Sequence, residues 1–495
     1  MGKLFLNGVI HRVALITGAV VILLLLAPVQ ARPVDEDLLN ILLENGSITE
    51  AQHKGLVAKL NDTDTPADTG VAEPEVQPAP RLLESEIAEI ALDEKIAQEV
   101  AEQVDAATLV KADHGGKGFR FETADGNWQT NLQWRAQLRY TIPDTGDPRQ
   151  VGNFTGPDQS TFETRRLRMK IGGHGYRPWL KYYFEVDLQP TRDTDDSSAS
   201  ASSRVIDWRI DVAKWDWGGF RVGQWKIDYN RERVDSSGRQ QFVERSIINR
   251  QFTIDRQVGV QLRGHAFKNT RADLRWFAGA FTGEGRGVRG TDNNLLYTGR
   301  LQWNFLGRDL GLRQTDVEFT ELPTGSLAFA GSTVIGSCTR WSSSGCGNLD
   351  GFTSPADAAS DQFKVEQAVQ EFAYKWRGLS IQQEFHYKEI TDRLNDTKSR
   401  LTGGYAQAGY FFHHLYPAIP EQLEFAARYA YLEEPNRDDL NFDNERQEFT
   451  LAANWFFRGH NNKVTFDVSR LRLEDGFLDQ NESETRARLQ WDISF

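Results

Sequence analysis

The sequence predicts an all-β chain, a 16-stranded antiparallel transmembrane β-barrel that carries a helical N-terminal extension. Three observations lead to this fold. From residue 119 to the C-terminus, apolar and polar residues alternate with a period of two, as they do in strands with one apolar face. The connections between these segments alternate in length. After the first thirty residues, no apolar run is long enough to form a membrane-spanning helix.

Sixteen segments carry the alternation. In the last of them, Trp491, Ile493 and Phe495 lie on one face, opposite Asp492 and Ser494. Chain ends usually fray, so an apolar strand at the end of the chain indicates that its apolar face contacts lipid. After a short lead-in at 118–124, the predicted strands are 128–141, 161–173, 179–189, 204–214, 219–226, 256–267, 271–281, 296–306, 314–331, 366–376, 379–389, 401–412, 421–432, 446–457, 462–472 and 484–495.

The predicted connections fall into two groups by length. A transmembrane barrel explains this pattern, because long loops lie outside the cell and tight turns lie at the opposite rim. A soluble sandwich gives no reason for it. The long polar connections are 142–160, 190–203, 227–255, 282–295, 332–365, 390–400, 433–445 and 473–483. The short ones include 174–178, 215–218, 268–270, 377–378 and 458–461.

Residues 1–31 are typical of a secretory signal peptide. Lys3 and Arg12 precede the apolar stretch 13–27, and small residues up to Ala31 offer a cleavage site. The alternative is a retained membrane anchor. A signal peptide implies export, so we expect the barrel in a Gram-negative-type outer membrane, with the N-terminal extension in the periplasm.

The extension is acidic and precedes a barrel that we place at 113–495. Residues 32–60 contain two short helical patterns, 61–80 form a linker with four prolines, and 81–112 form a helix. Apolar residues that recur every seven positions in the last part fit either a coiled coil or a single amphipathic helix. Residues 32–112 carry a charge of −12 and the barrel carries −3, so the total of −13 reflects the extension.

The chemistry of a 16-stranded barrel depends on the side chains that face its water-filled lumen. Alternation places many arginines inward, and a guanidinium donates several hydrogen bonds to phosphate or carboxylate oxygens. These cations either bind passing anions or pair with inward carboxylates such as Glu185 and Asp187. The candidate anion-binding residues are Arg135, Arg139, Arg166, Arg168, Lys170, Arg209, Arg263 and Arg275.

The connection 227–255 is the third long loop of the predicted barrel. In barrels of this kind, a loop at this place commonly folds into the lumen and narrows it. The loop contains a helix-like segment at 242–249. Lys226, Glu244 and Arg245 would then lie near the constriction, whereas the alternative is a loop that lies over the mouth.

The chain has two cysteines, Cys338 and Cys346, within one long connection. In an exported protein, this spacing favours a local disulfide. Two thiolates without a nearby histidine make a poor zinc site, so no metal site is predicted.

The stretch "FRVGQWKIDYNRERVDSSGRQQFVERSIINRQFTIDRQVGVQLRG" at 220–264 resembles the signature of the phosphate-selective porin O and P family. Segments 164–173 and 38–56 are also similar to parts of that family, although Asp228 and its two successors replace the family's Pro-Phe-Gly. The resemblance implies a 16-stranded barrel, commonly a trimer, that passes phosphate or other anions. The matching residues are Arg221, Gly223, Gln224, Lys226, Glu232, Ser236, Ser237, Phe242, Glu244, Arg245, Ser246, Arg256, Gly259 and Val260.

No catalytic residues are predicted, because the nine histidines form no Ser/His/Asp set and no phosphate-cradling glycine loop is present. We therefore expect a homotrimeric porin without cofactor, metal or nucleic acid. Its partners would be outer-membrane lipid and small anions, phosphate among them. The alternative function is a general or weakly selective diffusion porin whose N-terminal helix braces a trimer or reaches the cell wall.

Overall fold

The computed structural model describes the C-terminal part of the chain in detail. The described residues are 110–116, 118–143, 160–188, 204–288, 290, 293–342, 345–349, 351–437, 445–475 and 480–495, with the isolated Lys54 and Lys95, both helical. The predicted signal peptide, the linker and the rest of the predicted helices up to 109 lie outside them.

These residues form twenty strands and three short helical segments. The strands are β1 (Val110–Gly115), β2 (Gly118–Thr123), β3 (Gln129–Ile142), β4 (Thr161–Gly175), β5 (Arg177–Asp187), β6 (Arg204–Trp215), β7 (Gly218–Lys226), β8 (Arg256–Ala266), β9 (Leu274–Phe281), β10 (Leu296–Trp303), β11 (Thr324–Gly336), β12 (Arg340–Ser342), β13 (Gly345–Gly347), β14 (Phe363–Trp376), β15 (Leu379–Asp392), β16 (Thr397–Tyr410), β17 (Leu423–Arg437), β18 (Glu445–Phe456), β19 (Asn462–Asp475) and β20 (Gln480–Ser494). The helical segments are α1 (Arg231–Val234), α2 (Asn249–Phe252) and a 3₁₀ turn, Phe412–His414.

Sixteen of the strands, β3–β11 and β14–β20, form one closed antiparallel sheet. Each pairs with its neighbour in this order, and β20 closes the sheet against β3. At this seam, the amide of Phe495 donates to the carbonyl of Trp134 at 2.9 Å, and the amide of Trp134 donates to the carbonyl of Phe495 at 3.1 Å. The prediction of an all-β, closed, 16-stranded antiparallel barrel is confirmed.

A hairpin of β1 and β2 precedes the barrel. Strand β2 matches the predicted lead-in and pairs with the first residues of β3. Residues 110–112 belong to β1, so the predicted helix at 81–112 is wrong at its C-terminal end.

Alternate side chains of each strand point outward. Most of these outward side chains are apolar, so the outer surface of the barrel is apolar. On β15, for example, Phe385 is 52% exposed, whereas its neighbours Glu384 and His386 are buried in the lumen. Such an outer surface is what a strand face in contact with lipid requires. Other exposed residues of this surface are Phe184, Ile210, Leu262, Leu301, Phe329, Tyr429, Phe449, Leu451 and Trp491.

The two rims of the barrel differ in their connections. We call the rim where β3 begins and β20 ends the turn rim, and the opposite one the loop rim. At the turn rim, a single residue joins β4 to β5, and two join β14 to β15. At the loop rim, the connection between β15 and β16 is only 393–396, because both strands extend beyond their predicted ends. The long connection predicted at 390–400 is therefore wrong.

The connection 304–323 at the turn rim is the largest difference from the predicted strands, because β11 begins ten residues later than the predicted strand 314–331. The carboxylate of Asp316 accepts hydrogen bonds from the amides of Thr320 and Gly378, and Phe319 adopts a left-handed φ of 53°. Gln314 and Thr315 are buried in the lumen. The alternation that predicted a strand here belongs instead to a segment that folds into the lumen.

We predict that deletion of Phe495 impairs assembly of the barrel more than it impairs any property of the pore. The deletion removes two hydrogen bonds of the closing seam and an exposed aromatic side chain that is 56% accessible at the turn rim. The measurement is the yield of folded, heat-modifiable barrel in membranes. A normal yield from the truncated chain would refute the prediction.

Candidate functional site in the lumen

The loop 227–255 folds into the lumen and fills much of its cross-section. Of its residues, Arg239 alone is exposed, and most of the others are fully buried. The segment 242–249, expected to be helical, is extended or turn-like up to Ile248, and the helices of the loop are α1 and α2 instead.

One side of the loop is fixed by Glu244. Its carboxylate accepts hydrogen bonds from Arg139 of β3 at 2.7 Å and from Arg165 of β4 at 2.9 Å. All three side chains are buried, so charge pairing here offsets the cost of removing these groups from water.

The other side is fixed by carboxylates of the barrel wall that accept hydrogen bonds from amides of the loop. Glu384 accepts from the amide of Glu232 at 2.6 Å, Glu448 from that of Ile247 at 2.9 Å, and Asp467 from that of Val243 at 2.9 Å. Arginines of the wall complete the network, for instance Arg428 against Glu448 and Arg488 against Asp467. These wall carboxylates therefore position the loop backbone, and Glu448 and Asp467 also pair with arginines.

Arg165 is a buried residue of this network that strand alternation did not identify. A β-bulge interrupts the register of β3 and β4, where Gln137 is opposite Arg166 and Leu138 is opposite Thr164. The extra residue is Arg165, so two consecutive arginines are buried on the lumen side, where strict alternation predicts one.

Several predicted pore-lining residues lie beneath the loop instead of along open space. Arg135 donates to the hydroxyls of Ser236 and Ser237, and Arg166 donates to the side chain of Gln137. With Arg139, they are at most 9% exposed. Glu244 and Arg245 of the loop are also buried, and Arg245 donates to loop carbonyls. Arg135, Arg139 and Arg166 therefore do not line open space as expected, and Glu244 and Arg245 are buried within the loop that enters the lumen.

An open cavity of about 960 Å³ lies between the loop and the turn rim. Arg168, Lys170, Arg209, Arg263 and Lys226 line it, as does the connection 304–323. Arg275 borders a smaller adjoining space and pairs with Asp309. From the loop, the residues that face the cavity are Asp228, Val234, Asp235, Ser236, Ser237 and Arg239.

The cavity has more uncompensated positive than negative charge. Ten basic and eight acidic side chains line it. Most of the acidic ones form ion pairs, such as Glu185 with Arg168 at 2.9 Å and Asp211 with Arg221 at 2.5 Å. Among the described residues, five lining cations have no carboxylate within ion-pair distance: Lys170, Lys181, Lys226, Arg239 and Lys375. Two lining carboxylates, Asp235 and Asp316, have no cation within ion-pair distance among these residues.

Burial shifts the pKa of two charged side chains of the loop. Desolvation raises the pKa of Asp235, and nearby Arg239 only partly opposes the rise. Burial lowers the pKa of Arg245 to about 10, which leaves its guanidinium protonated at neutral pH.

Cys338 and Cys346 form a disulfide in the connection between β11 and β14, with their Cα atoms 5.7 Å apart. This bond spans the small hairpin of β12 and β13, whose Trp341 is 1% exposed. Cys338 and Trp341 belong to the same apolar cluster as Ile248 and Phe252 of the lumen loop. The connection therefore packs against the lumen loop near the loop rim.

Comparison with known proteins gives one family match. The model of the family described as phosphate-selective porin O and P matches residues 137–493. No curated protein matches the chain.

Several solved structures are similar in fold. A loop L8 deletion mutant of the outer membrane protein OmpT of Vibrio cholerae has 10% identity and a TM-score of 0.49, covering 74% of this chain and 99% of that one. The outer membrane channel DcaP of Acinetobacter baumannii has 12% identity and a TM-score of 0.47, covering 76% and 99%. An anion-selective porin from Comamonas acidovorans has 10% identity and a TM-score of 0.45, covering 74% and 99%.

We predict that Glu244→Gln loosens the lumen loop. The substitution removes the nearer carboxylate of Arg139 and Arg165, which then keep only Glu163 at 3.7 Å, and breaking a buried ion pair costs about 3 kcal/mol. The expected result is a lower thermal transition of the folded barrel, measured by heat modification on gels, and noisier single-channel current.

The matched control is Glu366→Gln on the outer face, where Glu366 forms an exposed pair with Lys364. An exposed pair contributes little to stability, so this variant should behave like the unsubstituted protein. Equal transitions for both variants would show that Glu244 does not fix the loop.

Proposed function

Because the chain belongs to the phosphate-selective porin O and P family, we propose that its lumen passes small anions with a modest preference over cations. As a member of that family, the protein is an outer-membrane porin. Its fold and family indicate a channel and not an enzyme.

The observation that supports an anion preference is the charge of the cavity. Among the described residues, five cations that line the cavity have no carboxylate within ion-pair distance. Only two lining carboxylates have no cation within that distance among the same residues. Each charge about 4 Å from an ion contributes about 1 kcal/mol in water and more where the dielectric constant is lower. Since a tenfold bias requires only about 1.4 kcal/mol, a small surplus of cations is sufficient.

Ion pairs support the modest size of this preference. Arg168, Arg209 and Arg221 all have carboxylate partners, which cancel much of their field at a distance. We therefore propose phosphate as one permeant anion among several. A weakly selective passage for uncharged solutes is the second candidate, and the same ion pairs favour it.

The remaining proposals concern assembly and export. We propose that residues 1–31 are a signal peptide, that the segments 32–60, 61–80 and 81–112 form a periplasmic extension, and that the protein is a homotrimer in contact with outer-membrane lipid. The sequence patterns and the family resemblance support these proposals, and 1–109 lie outside the described residues apart from Lys54 and Lys95.

We predict that Lys170→Gln combined with Lys181→Gln lowers the anion-to-cation permeability ratio by about three- to tenfold without abolishing conduction. Both lysines line the cavity without a carboxylate partner within ion-pair distance among the described residues. The measurement is the reversal potential of single channels under a KCl gradient.

The control removes two lysines outside the lumen, Lys268 in a turn and Lys364 on the outer face, both exposed. This control should retain the ratio of the unsubstituted pore. If the lumen variant also retained it, the cavity would not set the selectivity.

A further inference from the structure

Two arginines occupy outward positions of β19, on the surface that faces the membrane. Arg470 and Arg472 are exposed, whereas Ser469 and Leu471 beside them are buried. The side chain of Arg472 is 52% exposed. An outward arginine costs about 2–4 kcal/mol at the middle of the hydrocarbon and only about 0–1 kcal/mol near its edges, so the height of these residues along the strand matters.

The register of β19 and β20 gives that height. Arg470 is opposite Thr485, ten residues before Phe495 at the turn rim. At about 3.4 Å per residue and a strand tilt of about 40°, this distance corresponds to about 26 Å along the membrane normal. The apolar band of such barrels is about 25 Å tall. Arg470 therefore lies at the far edge of the band.

The orientation of the barrel identifies the leaflet. Short turns of outer-membrane barrels face the periplasm and longer loops face outward, so the turn rim is periplasmic. Arg470 and Arg472 thus lie at the headgroup level of the outer leaflet. Below them, Val468, Leu489 and Trp491 present an apolar surface to the acyl chains.

The hydrogen bonds of Arg470 leave its charge uncompensated. Its guanidinium donates to the hydroxyls of Thr485 at 2.8 Å and Ser483 at 2.6 Å, and no carboxylate among the described residues pairs with it. Arg472 contacts the carboxylate of Glu474 at 3.3 Å. Glu474 lies two residues farther along β19, away from the apolar band, and is opposite Glu445 of β18. The part of the cluster nearest the lipid is therefore cationic.

We propose that Arg470 and Arg472, together with the hydroxyls of Ser483 and Thr485, bind the phosphate group of an outer-leaflet lipid. Guanidinium groups donate paired hydrogen bonds to phosphate oxygens, and the two arginines lie two residues apart on the same face of one strand. The apolar surface directly below accommodates the lipid's chains. This site is on the outer wall and is independent of the proposed passage of anions through the lumen.

The test measures binding of lipopolysaccharide to the purified full-length porin in detergent. Arg470→Ala combined with Arg472→Ala should weaken binding by about tenfold or more, as expected for loss of charge-assisted hydrogen bonds. Lysine at both positions should retain part of the affinity. The matched control, Lys268→Ala combined with Arg271→Ala, removes two exposed cations at the periplasmic rim and should have no effect.

Two further arms identify the ligand. Lipopolysaccharide from which the phosphates have been removed should bind the unsubstituted porin as weakly as the double alanine variant binds the intact lipid. Inorganic phosphate at about 0.1 mM, below the millimolar effective concentration of a phosphate whose lipid is already anchored, should displace little of the lipid. Equal binding by the double alanine variant, undiminished binding of the dephosphorylated lipid, or full displacement by inorganic phosphate would overturn the proposal. Single-channel conductance of the variant, which should be unchanged, separates this result from a failure of the channel function.

Discussion

The structure depends on one constraint: in lipid, every backbone N–H and C=O group must form a hydrogen bond within the protein, because no water is present to replace it. A sheet satisfies this need only when it has no edge, and here the last strand meets the first along eight paired positions from Ala487–Ile142 to Ser494–Arg135. Closure fixes which side chains face outward and which face inward. The outward residues must be apolar where they meet hydrocarbon, so nearly all of the barrel's charge is directed into the lumen or beyond the apolar band.

Charges in the lumen then determine where the loop 227–255 lies. Wall carboxylates at Glu384, Glu448 and Asp467 accept hydrogen bonds from loop amides, and Glu244 of the loop accepts hydrogen bonds from two wall arginines. Glu244, Glu448 and Asp467 each pair with an arginine, and this pairing offsets part of the cost of burying a polar loop inside a barrel. The cavity toward the turn rim contains the side chains that this network does not use, and their surplus charge is positive.

Alternation of residue types was sufficient to predict the sixteen strands, the all-β class and the inward face of candidates such as Arg168 and Arg209, because the side-chain direction of a strand has a strict period of two. It failed at two places. The bulge at Arg165 adds an inward arginine, and 304–323 has alternating polarity without being a strand. Alternation also carries no information about pairing across the lumen. The burial of Arg135 and Arg139 beneath the loop therefore required the three-dimensional structure.

The net charge of the open cavity is the property on which the proposed selectivity rests. The most direct measurement is the reversal potential of the unsubstituted pore in planar bilayers under a tenfold KCl gradient. A cavity with a small surplus of cations predicts a potential displaced toward the equilibrium potential of chloride, though clearly short of it. A potential displaced toward that of potassium would contradict the charge assignment of the lumen.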